Sequence, residues 1–97
     1  MSKLIQGNPW VWIVVQDPGG SEQFLGQHDK ENDISYIPMF LDKEDALQCL
    51  KHLTRDEKQE YEVQAIQYEH LADNAAEHGF MLFLLNKEGQ ILEKIRP

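Results

Sequence analysis

Cysteine is almost absent from this chain: Cys49 is the only one in 97 residues. A lone thiol closes no internal disulfide, whereas a small secreted domain is usually stapled by several. Basic residues are scarce too. Nine Lys and Arg stand against seventeen Asp and Glu, leaving a net charge of −8. Nucleic-acid binding begins with cations that displace counterions from phosphate, and this field repels a polyanion. The same field disfavours an anionic membrane surface. Long apolar runs are missing: Trp10 to Val15 and Phe80 to Leu85 fall far short of the roughly 20 residues a spanning helix needs. The opening stretch, Met1 to Pro9, holds no apolar signal core and no small-residue cleavage site. These absences point to a reducing cytoplasm, with neither nucleic acid nor membrane as partner.

What is present is ordinary globular material, 41% hydrophobic and 27% charged, enough apolar content to rule out wholesale disorder. The length suits one domain covering residues 1–97. Trp10 to Val15 is a continuous aromatic and β-branched run, which reads as a strand covered on both faces. Asp17-Pro18-Gly19-Gly20 turns the chain, and a short strand from about Glu22 to Gln27 completes a hairpin. His28 to Asp33 reads as an exposed loop. Ile34 to Phe40 is a third strand, which Pro38 places at an edge or a bulge because it donates no ladder bond.

Asp42 reads as an N-cap with Glu44 and Asp45 in the first turn. Ala46, Cys49, Leu50 and Leu53 then form an apolar stripe that Leu47 widens. Tyr61 to Ile66 alternates as a short strand. Tyr68, Leu71, Ala72, Ala75 and Ala76 mark an amphipathic helix that Gly79 closes. Phe80 to Leu85 is the second buried strand, expected beside the first. Asn86-Lys87-Glu88-Gly89 turns it into a last strand, Gln90 to Ile95. The expected fold is α+β, in the order β-β-β-α-β-α-β-β: a single-layer mixed, mostly antiparallel sheet with two helices packed on one face. Gln90 to Ile95 and the Pro38 strand are the expected edges.

No local motif assembles chemistry. Cys49 and His52 lie i, i+3 on a helix, yet zinc needs further ligands that the neighbourhood lacks; a core thiol and a surface imidazole are expected. His70, Asp73, Asn74, Glu77 and His78 share the polar side of the second helix, where His70 and His78 stand about 12 Å apart by helical rise. Asp42, Glu44 and Asp45 lack the spacing of a calcium loop. The glycine pair at Gly19-Gly20 fits no phosphate-binding pattern. No cofactor or metal is implied.

Trp10 and Trp12 stand out. Alternate residues of a strand share a face, so the two indoles are either core anchors or an exposed interaction surface.

The segment Tyr36-Ile37-Pro38-Met39-Phe40 followed by Asp42-Lys43-Glu44-Asp45-Ala46 resembles SseB-like proteins and related small bacterial domains. In these, an apolar-Pro-apolar-aromatic strand end runs into a helix opened by acidic residues. The later order, a strand at Val63 to Ile66, a helix from Tyr68 and an apolar strand at Phe80 to Leu85, is similar to them too. The resemblance spans about the last two-thirds of the chain and implies a compact α+β domain without assigned catalytic residues. The leading expectation is therefore a cytoplasmic bacterial protein working through a protein partner or self-association, and leaning away from enzyme. The alternative is a small-molecule-binding or enzymatic site assembled from distant residues, with His28, Asp29, Tyr36, His52 and His70 the first to inspect.

Overall fold

In a computed structural model that describes residues 3–97, the chain forms β1 (Trp10–Gln16), β2 (Gln23–Phe24), β3 (Gln27–Asp29), β4 (Ile34–Met39), α1 (Lys43–Cys49), β5 (Tyr61–Gln67), α2 (Tyr68–His78), β6 (Met81–Leu85) and β7 (Ile91–Ile95). Met1 and Ser2, the first residues of the opening stretch that lacks a signal core, lie outside the described residues. The α+β class and the mixed, mostly antiparallel pairing are as the pattern predicts. β1 and β5 pair antiparallel along their whole length, and β4 and β6 form a parallel pair. β3 and β7 flank that pair, both antiparallel.

The sheet is less continuous than expected. It consists of β2-β1-β5 and β3-β4-β6-β7, joined at one bridge where Trp12 and Phe40 exchange N–H···O bonds of 2.8 and 2.9 Å. Beyond that bridge, residues 23–29 occupy the gap between β1 and β4, Gln23 and Phe24 pairing with β1 and Gln27 to Asp29 with β4. The expected second strand is thus two short ones, and His28 and Asp29 belong to β3 instead of a loop. Because β4 lies next to β6, the two apolar runs are not neighbours; β1 meets β4 at the bridge and β6 lies beyond it.

Pro38 sits inside the sheet, not at its edge, fully buried and in register with Phe83 of β6. Strand alternation explains why it is tolerated. Phe40 directs its N–H and C=O toward Trp12, so Pro38 and Tyr36, two and four residues earlier, face that same side. Tyr36 is the last residue paired with β3, opposite Gln27. Pro38 falls between the β3 ladder and the Trp12 bridge, where no ladder donor is required.

The helices pack on opposite faces, contrary to the single-face expectation. Val11, Ile13 and Val15 join Leu82, Leu84 and the α2 residues Leu71 and Ala75 in one core. Val14, Phe83 and Leu85 join Ala46 and Cys49 of α1 in the other. Topology requires this. β4, β5 and β6 run parallel, since β1 is antiparallel to both β4 and β5. The β4-α1-β5 crossover moves one way across the sheet and β5-α2-β6 moves back. Right-handed crossovers in opposite directions put their helices on opposite faces. The apolar runs of β1 and β6 serve both cores, each fully buried Leu, Ile or Phe contributing roughly 1.5–3 kcal/mol.

Helix ends follow local rules. At α2, the Gly79 N–H donates to the Ala76 carbonyl (3.3 Å) and the Phe80 N–H to that of Ala75 (2.8 Å), with Gly79 at φ +78°. This is a Schellman closure. α1 is shorter than its stripe, ending at Cys49 and continuing as a 3-10 turn from Leu50 to His52. Asp42 has the extended backbone of an N-cap, but its side chain accepts no capping bond.

Candidate functional site

The candidate residues for chemistry are engaged structurally or scattered. Cys49 is buried, and burial pushes its thiol pKa up, the opposite of what an attacking thiolate needs. His52 is exposed on the 3-10 turn. Glu44 accepts a bond from Gln48 at 3.1 Å. Asp17 to Gly20 close a turn through Gly20 N–H to the Asp17 carbonyl, 3.1 Å, with Gly19 at φ +81°. Among the described residues, no group of three or more His, Cys, Asp or Glu is placed to hold a metal ion.

The distant residues do not converge. His28 contacts Asp33 (3.1 Å) and Ser35 (3.3 Å) at the β3–β4 turn. The hydrogen bond from Asn32 holds the Asp29 carboxyl below its usual range, and that bond organises the same turn. Tyr36 stacks on Phe83 with ring centroids 4.0 Å apart, its hydroxyl pKa raised by burial. Of His28, Asp29, Tyr36, His52 and His70, only His70 lines either of two surface clefts.

The smaller cleft, about 250 Å³, runs along β5 between Gln64, Ile66 and His70. The larger, about 430 Å³, has Val15, Phe24, Ile37 and Phe80 beneath Glu22 and His78. His78 spends its Nδ1–H on the Asn74 carbonyl (2.9 Å), and Glu22 accepts the Gly19 N–H (3.2 Å). This cleft has the size and apolar lining of a small-ligand site, and its one imidazole and one carboxylate each hold a local structural bond.

The Trp pair resolves into two different residues. Trp12 is partly buried against the α1-side core, with the Lys43 ammonium 5.6 Å from its ring centroid. Trp10 is 62% exposed. It is in register with Gln67 of the outer strand β5, as Trp12 is with Ala65, and it lines the smaller cleft beside Ile66 and His70. Leu47 is exposed on the adjoining α1 rather than closing the core.

β5 is the edge that the periodicity did not single out. Among the described residues, no strand pairs with its outer side. Trp12 bonds toward Phe40 and Val14 toward Leu25, so Val11, Ile13 and Val15 face β5 and meet Ile66, Gln64 and Glu62. The alternate residues Tyr61, Val63, Ala65 and Gln67 therefore turn their backbone N–H and C=O groups outward. The strand YEVQAIQ carries no Lys or Pro, the usual guards of an exposed edge. That composition was the one signal in the sequence, and in the structure the strand holds no fully buried residue. β7, the other outer strand, has Glu93 and Lys94 at its centre and a register break between Leu84 and Leu85. The Glu93 carboxylate also takes the backbone N–H groups of Lys3 and Leu4.

No family model, curated protein or solved structure matches the chain.

Proposed function

We propose that this is a bacterial, cytoplasmic, non-enzymatic interaction module that binds protein through the outer edge of β5 and the adjoining Trp10 face. The observation that carries this reading is the coincidence of an unguarded strand edge with an exposed tryptophan on the next strand. An added strand uses the edge for backbone bonds, each worth about 1 kcal/mol net. Association itself costs roughly 4–15 kcal/mol, so an edge alone binds weakly. A tryptophan hot spot supplies about 2 kcal/mol or more, which tips the balance. The resemblance to SseB-like domains supports the same non-enzymatic reading.

The test compares wild type with Trp10→Ala and Ala65→Lys, both at exposed positions, by affinity capture and sedimentation. A partner or second copy held by wild type and lost from both variants supports the reading. Identical profiles for all three overturn it. The 430 Å³ cleft favours a second reading, a small-molecule site; in that case a fragment screen by NMR shifts Phe24 and Phe80 resonances and leaves Trp10 unmoved.

A further inference from the structure

We infer that the strand added at the β5 edge is β5 of a second copy, antiparallel about a two-fold axis through Gln64. This rests on the interaction reading above and adds its partner and register. An antiparallel partner must set outward-facing residues opposite outward-facing residues, because only those offer unpaired N–H and C=O groups. With Tyr61, Val63, Ala65 and Gln67 facing out, an axis through Gln64 sets Tyr61 opposite Gln67 and Val63 opposite Ala65 of the second copy. Symmetry repeats each pair. Gln64 is the middle residue of Tyr61–Gln67, so this register alone pairs the whole strand.

Charge and shape agree with it. Glu62 is the only charged residue of β5, and this axis sets it opposite Ile66 instead of its own image. The same operation on β7 would set Glu93, its middle residue, against Glu93. On the α1 face, Ala65 is exposed beside Trp12, and the small side chain leaves room for Val63 of the second copy. Exposed Trp10 is in register with Gln67, the residue that this axis sets opposite Tyr61 of that copy. The row Trp12, Ala65, Val63 and its symmetry mate close an apolar surface across the axis.

The register is tested by oxidative cross-linking of Gln64→Cys, with Glu62→Cys as control, alongside sedimentation velocity of wild type over a concentration series. Residue 64 faces its own copy at a non-hydrogen-bonded position, about 4.5 Å between Cα atoms, within disulfide reach. Two copies of residue 62 stand four positions apart, about 14 Å, beyond it. The expected result is a concentration-dependent dimer, rapid covalent dimer from Gln64→Cys but not from Glu62→Cys, and at least about tenfold weaker association for Ala65→Lys. A monomer at all concentrations overturns the second-copy assignment, while capture of another protein lost from Trp10→Ala leaves the interaction reading standing. A dimer in which Glu62→Cys cross-links as well as Gln64→Cys overturns the register.

Discussion

At the scale of single residues, what could be read in advance were positions whose conformation is dictated locally. Gly79 is the clearest. Its φ of +78° is left-handed, and beyond its own chain neighbours and helix backbone nothing lies within 4 Å of where a Cβ would stand. The cost of Gly79→Ala is thus purely backbone, the left-handed penalty partly offset by a stiffer unfolded chain, and comes to about 1 kcal/mol. Urea denaturation should show a lower midpoint with an unchanged slope. Cys49 was legible for the same kind of reason, since it lies on the apolar stripe and free thiols are habitually buried. Trp10 and Trp12 were not separable, because what differs between them is a neighbour from far along the chain. Trp12 bonds to Phe40 and lies under Lys43, while Trp10 lies beyond both. Pro38 misled for a related reason: its missing N–H matters only relative to which strand stands beside it.

At the scale of elements, periodicity located both helices and the long strands, because it reflects which side chains face apolar surroundings. It could not say where that surface comes from. The stripe of α1 included Leu47, yet the helix lies across β1 and β5 so that Ala46 and Cys49 are buried while Leu47 stays 46% exposed. Leu71 of α2, by contrast, is fully buried against β1, β4 and β6. Leu71→Ala therefore leaves a cavity and should cost about 2–5 kcal/mol, whereas Leu47→Ala should stay within about 0.5 kcal/mol. Equilibrium unfolding of the pair measures both on one scale. The opposite placement of the helices was already implicit in the sequence, since the unbroken apolar runs Trp10 to Val15 and Met81 to Leu85 need cover on both faces. The edge role of β5 was not implicit, because loose alternation fits an edge strand and a half-buried interior one alike.

At the scale of the whole molecule, the charge of −8 acts on association more than on fold. Two copies brought together through β5 carry like net charge, and their mutual repulsion opposes encounter at low ionic strength. The contact itself joins backbone groups, Val63, Ala65 and Trp10, with Glu62 facing Ile66, so no attractive ion pair is lost when salt is added. Screening over a Debye length of about 10 Å at 0.1 M then removes repulsion without removing attraction. Self-association should consequently tighten as sodium chloride rises from about 20 to 500 mM, the range over which that length falls well below the size of the domain. Sedimentation equilibrium across the series measures it directly. An interface built on complementary charges, such as Lys43 of one copy against the acidic surface of another, would weaken over the same range, so the sign of the salt dependence separates the strand-edge dimer from a charge-paired one.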